Sequence, residues 1–439
     1  MKKAKLVFGL TILFFGISID GNSQTPITAL TLDQAVEMAL RQASNFEQAK
    51  LNELIADEDV FQAGKEFYPK ISANPAVIYT TPSLARGLQT GTPRPPSFLG
   101  ANAITEYQAT AVANGEIDIS GKLKANKQRA LALFEAAKAG TEIARRDLIR
   151  ATEEAYFGLA FAIAGKNAAQ LNLETAQNFE KVTKLLVDGG EIPPVDLIKA
   201  QIQTTTRRDE LEQARILLAI SENNLKVYLN LDQSTPVAVE DFQVEMPLPD
   251  ELAQFSLEEV RRRPELVQFE AQKQAAEAEA KMARAERRPQ ITYSLEAGII
   301  ADSLRPDRIG DSAGIRGTVG VNIPLFDWGA SKSRQTQAEL RTKIAESSRL
   351  FAQRQFIADF NSNFTAAKTA ATRIRQLALN LQNSEKVLNV AIERYKAGET
   401  QIIEVTETQN LIVTERITLL QAIFDYQIAK ARLRQATGK

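Results

Sequence analysis

Apolar positions recur with two different periods along this chain, and the switches between them mark its elements. From Ile315 to Leu325, residues Ile315, Gly317, Val319, Val321, Ile323 and Leu325 share one face. Arg316, Thr318, Gly320 and Asn322 share the other, which is the period of two of a β-strand. Three more stretches alternate in this way. They are 71–80 (Ile71, Ala73, Val77, Tyr79), 107–119 (Tyr107, Ala109, Ala111, Ala113, Gly115, Ile117, Ile119) and 291–300 (Ile291, Tyr293, Leu295, Ala297, Ile299). Almost everything else reads as helix: 31–66, 122–188, 194–230, 256–288, 330–397 and 401–437. Thr31, followed three residues later by Gln34, is a capping signature. The proline-free run 122–188 would extend on the order of 100 Å at about 1.5 Å per residue, far beyond a globular helix. Gly189-Gly190 and Gly398 break the two longest helices, and Pro193-Pro194 opens the helix that follows the first. Segments 81–106 and 301–314 read as loops, and Leu231 to Phe255, with Pro236, Pro247 and Pro249, as irregular chain.

This order occurs twice. Pro69 and Pro289 lie 220 residues apart; Gly121 and Gly329, and Gly190 and Gly398, lie 208 apart. The difference falls in the first loop, which is longer. Both offsets are even, so the strand faces stay in phase. A repeat of this kind fixes an architecture more firmly than any local pattern. It predicts a first unit at 24–230, an irregular segment at 231–255 and a second unit at 256–439. On the second long helix, Ile357, Phe360, Phe364, Ala367, Ala371, Ile374, Ala378, Leu381, Glu385, Leu388, Ile392 and Tyr395 are spaced alternately by three and four. That is a heptad seam with one polar interruption, Glu385. The same register is patchier 208 residues earlier, which predicts a different packing register for the first long helix.

Composition then narrows the function classes. Lys and Arg total 53 against 54 Asp and Glu, a formal net charge of −1, and give no footing for nucleic acid. The chain has no histidine and no cysteine. Ser-His-Asp and Cys-His catalysis, most zinc sites, disulfides and a lipidated N-terminal cysteine are therefore excluded. The acidic groups are scattered along helices without a nucleophile or metal cluster, so the sequence predicts neither an enzyme nor a cofactor. Residues 1–23 read as a secretory signal peptide: Lys2, Lys3 and Lys5, an apolar run from Leu6 to Ile17, and Gly21-Asn22-Ser23 before Gln24. A short N-terminal anchor is the alternative. No segment is apolar enough for a membrane-spanning helix, so a crossing would require a closed β-barrel.

The duplicated order, with TLDQAVEMAL (31–40), YPKI (68–71) and its partner RPQI (288–291), PLFDWG (324–329) and RYKAGETQIIEV (394–405), resembles the outer-membrane efflux protein family, the TolC-like exit ducts of tripartite export systems. The resemblance covers essentially the whole chain after the signal peptide. It implies a mainly α protein with a transmembrane β-barrel. Three protomers would each give four strands to a twelve-stranded barrel, continued through the periplasm by an α-helical, coiled-coil barrel with an irregular belt at 231–255 and the chain's ends. It implies a passive duct in the outer membrane for small molecules (drugs, metal ions or other toxic compounds) or secreted cargo. Its partners would be two further copies, a periplasmic adaptor, an inner-membrane pump and lipid. The alternative is a soluble periplasmic coiled-coil adaptor or scaffold.

Candidate site residues follow from the same resemblance. Phe326 and Trp328 would form an aromatic girdle at the membrane boundary, the other reading of Trp328 being a core residue of the strand-to-helix junction. Tyr68 and Tyr293 would add to the girdle. The first unit departs here, with Glu116-Ile117-Asp118-Ile119-Ser120-Gly121 in place of PLFDWG. Gly189, Gly190, Gly398 and Glu399 would form hairpin tips that meet the adaptor. Glu404 and Glu407 would narrow the periplasmic end as an acidic gate, against the reading of a solvated helix face, with Tyr395 holding Asp196. A basic residue that reinforces closure in some members falls at Thr400, which cannot form a salt bridge. The two strand-joining loops should face the cell exterior. The exported chain should begin at or near Gln24, read by intact mass; retention of residues 1–23 would instead identify an anchor.

Overall fold

The structure is a computed structural model and describes residues 29–41, 44–79, 105–240, 247–248 and 250–438. The segment read as a signal peptide and most of the first loop lie outside these. In chain order the elements are α1 (Leu32–Arg41), α2 (Asn45–Lys65), β1 (Lys70–Tyr79), β2 (Thr105–Ile117), α3 (Lys122–Asp188), α4 (Pro194–Leu229), α5 (Leu257–Val260), α6 (Pro264–Ala285), β3 (Gln290–Ala301), α7 (Pro306–Asp311), β4 (Ala313–Asn322), α8 (Ala330–Lys396) and α9 (Ile402–Thr437). The duplication is exact in length for the long elements. Helices α3 and α8 have 67 residues each, and α4 and α9 have 36 each.

Local chemistry accounts for the boundaries. Thr31 and Gln34 form the reciprocal box: the Thr31 amide donates to Gln34 Oε1 (3.1 Å) and the Gln34 amide to Thr31 Oγ1 (3.2 Å). The helix expected over 31–66 is divided, with α2 starting after Ser44 in extended backbone. The helix expected over 256–288 is likewise split. Pro264 starts α6 and forces Arg263 to ψ 141°, because a residue before proline is driven out of the helical region. The second loop contains the short helix α7. Each long helix is capped by a carboxylate carried on the preceding turn. Asp118 accepts from the Leu123 and Lys124 amides (3.2 and 2.8 Å), and Asp327 from the Gly329 and Ser331 amides (3.2 and 2.7 Å).

The four strands form one antiparallel sheet in the order β1-β2-β3-β4. Register aligns the alternation across all four. Ile71 pairs with Ala113, Ala113 with Leu295 and Leu295 with Gly317. One face therefore carries Ile71, Val77, Leu295, Ile315 and Val319, all exposed, while Glu296 and Arg316 form an ion pair on the other. The strands of 10 to 13 residues suit a tilted bilayer crossing. No described helix is long and apolar enough to cross a membrane. At Gly298 the β2 backbone comes so close that a Cβ would sit 2.2 Å from the Ala109 carbonyl oxygen, so only glycine fits.

The helices make a curved layer. Near the sheet the neighbours run α2, α3, α6, α8; farther away they run α4, α3, α9, α8. Two equatorial clusters lock it. In one, Ala35, Ala39, Tyr156, Leu159, Leu225, Leu229 and Val239 pack together, and Leu30 bridges to Val239 in parallel. In the other, Phe255 and Val260 pack on Phe360, Ile374, Tyr426 and Leu433. Residues from 231–255 contribute to both patches, Val239 to the first and Phe255 to the second. The heptad positions Phe360, Ala367, Ile374, Leu388 and Tyr395 are buried, whereas Glu385 is met by Arg416 (2.9 Å). The register differs in part, as expected: Ile374, Leu388 and Tyr395 are buried on α8, whereas their equivalents Lys166, Glu180 and Val187 are not buried on α3, and other positions coincide. Buried positions Ala130, Thr152, Leu159, Ala162 and Thr183 of α3 match Ala338, Phe360, Ala367, Ala370 and Ala391 of α8 at an offset of 208. Helix α3 looks patchier because neighbours on two sides bury additional faces.

Ile374 is fully buried. Ile374→Ala should cost about 2–5 kcal/mol, read as a lower guanidinium midpoint of the detergent-solubilised protein. Gly298→Ala should damage β2–β3 pairing and lower thermal resistance; wild-type behaviour in that variant would contradict the close approach.

Candidate functional site

At the end of the layer opposite the sheet, two helical hairpins turn by the same chemistry. The Gly190 amide donates to the Val187 carbonyl (3.0 Å) and the Glu191 amide to Leu186 (2.9 Å). In the second hairpin Gly398 donates to Tyr395 (3.1 Å) and Glu399 to Arg394 (2.9 Å). Both are Schellman turns, and the left-handed residues are Gly190 (φ 73°) and Gly398 (φ 72°). Gly189, Gly190, Gly398 and Glu399 are all exposed at these turns.

Asp196 and Glu404 are equivalent positions, the third residues of α4 and α9, where a carboxylate complements the helix N-terminus. Their surroundings differ. Asp196 is largely covered and pairs with Lys199 at 3.3 Å. Glu404 is half-exposed and held by two neighbours: the Arg394 guanidinium at 3.1 Å and the Thr400 hydroxyl, which donates to it. Thr400, which cannot form a salt bridge, contributes a hydrogen bond to this carboxylate, and Arg394 supplies a positive charge beside it. Glu407 is exposed, with no ion pair among the described residues.

Tyr395 is buried, its ring tilted against Phe179 at 5.4 Å. Burial raises its phenol above the ordinary value, and the Asp196 carboxylate adds to the rise. The hydroxyl faces Asp196 and Thr183 without a hydrogen bond of standard geometry, so the expected hold on Asp196 is electrostatic proximity rather than a formed bond. Packing ties the hairpins more firmly: Phe179, Ala200, Leu388, Tyr395, Ile402 and Val405 make one cluster.

Sequence reasoning missed the polar links above this cluster. Arg416 donates to Asn172 (2.5 Å) and pairs with Glu385, and Asn410 accepts from Gln203 (2.8 Å) and from buried Arg207. The polar interruption at Glu385 was the available signal, because a charge in a heptad seam asks for a partner.

At the other end, Phe326 and Trp328 contact each other edge to face at 5.1 Å and are 75% and 87% exposed. Trp328 is therefore no core residue of the protomer. Tyr68 is also exposed, whereas Tyr293 lies over Gly115 on the apolar face of the sheet. The equivalent of Trp328 is Ser120, which is buried, donates to Gln290 (3.2 Å) and accepts at its carbonyl from Arg288 (2.9 Å). The first unit lacks aromatics there because its junction lies inside the protomer. The second junction lies at an open edge.

Comparison with known proteins agrees with this architecture. The family model described as outer membrane efflux protein matches residues 35–231 and 258–439. The pyoverdine export outer membrane protein OpmQ of Pseudomonas putida is 23% identical over 380 residues, covering 86% of this chain and 79% of that one. The outer membrane efflux protein BepC of Brucella suis is 22% identical over 453 residues, covering 100% and 91%. Among solved structures, CusC superposes with a TM-score of 0.81 at 18% identity, covering 96% of this chain and 95% of that one. The CmeC outer membrane channel of Campylobacter jejuni superposes with a TM-score of 0.80 at 17% identity, covering 98% and 94%. The chain belongs to the outer membrane efflux protein family.

Proposed function

We propose that this chain is the outer-membrane channel of a tripartite export system. It acts as a passive duct that receives cargo from an inner-membrane pump through a periplasmic adaptor. One observation carries the reading: a four-stranded sheet with an apolar face and two open edges grows directly into helices of 67 residues. A soluble scaffold would leave that contiguous apolar face, with Ile71, Val77, Ile315 and Val319 all exposed, in water. Three copies close twelve strands into a barrel in which every ladder is paired. Relatives named for pyoverdine export and toluene efflux support small molecules as cargo. No residue acts on the cargo chemically.

The hairpin tips meet the adaptor, and the acidic residues at the start of α9 narrow the periplasmic entrance, with Glu407 carrying a charge that has no ion pair among the described residues. Three exposed carboxylates around one axis favour cations and attract multivalent ones. Trp328 and Phe326 mark the boundary between the membrane and the periplasm.

Purified trimer in a planar bilayer should show small, cation-selective conductance blocked by di- or trivalent cations from the tip side. Glu407→Ala should relieve the block more than Glu404→Ala does, because Arg394 and Thr400 already hold Glu404. An equal or reversed order would show that the local pairing does not govern the constriction. Leu304, between β3 and α7, is 64% exposed. Leu304→Cys should be labelled on intact cells by an impermeant maleimide; labelling only after breaching the outer membrane would invert the topology.

A further inference from the structure

The duplication allows contacts between copies to be read from contacts between the two halves of one chain. Inside the protomer the halves meet where α3 packs on α6 and on α9. Among the described residues, four side-chain hydrogen bonds cross this internal seam. The two equatorial ones, Arg432 to Glu154 and Gln435 to Asp147, have no counterparts of matching type in the other half; the other two do. Gln268 Nε2 donates to the Ala136 carbonyl (3.5 Å), and Arg416 Nη1 donates to Asn172 Oδ1 (2.5 Å).

The repeat offsets map each partner onto an open edge. An offset of 208 takes α3 to α8, and the same offset takes α4 to α9. An offset of 220 takes α2 to α6, whose C-cap residues are Glu66 and Glu286. The equivalents of Asn172 and Arg416 are Asn380 on α8 and Arg208 on α4. The residue types are retained in both places. The equivalent of Gln268 is Gln48 on α2, again the same residue type, and that of Ala136 is Ile344. Gln48, Arg208 and Asn380 are exposed, and their side chains have no hydrogen-bond partner among the described residues. Helix α8 lies at one edge of the layer, and α2 and α4 at the other, so one chain cannot bring these residues together.

Apolar exposure follows the same map. Ala132 and Ala136 are buried on α3, while their equivalents Leu340 and Ile344 are 52% and 65% exposed on α8. Ala271 and Ala275 are buried on the face of α6 that carries Gln268, while their equivalents Leu51 and Ile55 are 51% and 60% exposed on α2. Large apolar residues left in water at the positions of an internal seam call for a matching surface, and the surface with the matching pattern belongs to a second copy of this chain. Such a head-to-tail contact generates a ring when it closes.

We propose that Arg208 of one copy donates to Asn380 of the next, repeating across the subunit seam the Arg416–Asn172 bond inside the protomer, with Leu51 and Ile55 packed against Leu340 and Ile344 above it. The pairing rests on the ring-forming duct proposed above and names the contact that closes its periplasmic half. The match is confined to that half of the α4–α8 seam. The equatorial pair Glu153–Arg434 has Asn361 and Lys226 as equivalents, and Lys226 is buried on Glu222 and the Gln233 carbonyl.

The chain has no cysteine, so introduced thiols report without background. The full-length double variant Arg208→Cys, Asn380→Cys, treated as a purified oligomer with a short bismaleimide, should give covalent trimer on denaturing gels. Each single variant should stay monomeric. Asn380→Arg, which opposes two guanidinium groups, should lower the temperature at which the oligomer dissociates, and adding Arg208→Asn should restore it. An oligomer that is intact on native gels but gives no cross-link, or an Asn380→Arg defect that Arg208→Asn leaves unrelieved, overturns the pairing and leaves the duct standing. A chain that never forms the oligomer overturns both.

Discussion

Everything in this molecule depends on the unpaired edges of its sheet. Strands β1 and β4 each present a row of amide and carbonyl groups with no strand partner among the described residues. In hydrocarbon such groups cost several kcal/mol each, because no water replaces the missing bond. The outward apolar face draws the sheet into lipid, and the edges forbid it to enter alone. Four alternating strands leave β1 and β4 running in opposite directions, so β4 of one copy meets β1 of another in the antiparallel sense. Closure by copies satisfies both demands. The helices inherit the arrangement, since α2 leads into β1 at one edge and α8 leaves β4 at the other.

The same constraint explains why two equivalent junctions look unrelated in sequence. Ser120 and Trp328 occupy matched positions before matched glycines. Ser120 sits beneath the entry to β3, where Gln290 and Arg288 reach its side chain and carbonyl, and there is no room for an indole. Trp328 sits where the protomer stops, and its indole is left exposed there. Duplication supplied one backbone. Position relative to the edge decided which side chain could stand on it.

Architecture was legible in the sequence because period and repeat carry it. All four strands, both long helices and both tips fall within a few residues of where alternation, glycine and proline put them. What escaped reading depends on context that no local window holds. Pro264 splits a helix that periodicity alone runs through. Helix α3 looked irregular in heptad terms because it shares only some of the buried positions of α8 and buries further faces against several neighbours. The partners of the tip residues were invisible for a related reason. Arg394 meets Glu404 only because a Schellman turn folds the helix that ends there back onto the next one.

That fold-back changes the electrostatics of the tip. A ring built from two bare glutamates per copy would gather six like charges at its narrowest point, and their repulsion would work against closure. Arg394 lies one turn before the break and reaches Glu404 across it, while Thr400 adds a hydrogen bond to the same carboxylate. An ion pair this exposed contributes little to stability, on the order of 0–1 kcal/mol. Its effect is on the local field: Arg394, which also lies 3.9 Å from Glu399, offsets charge at Glu404, while Glu407 has no ion pair among the described residues. In the duct proposed above, that partial offset would let the tip narrow while keeping its negative sign, using groups of one chain.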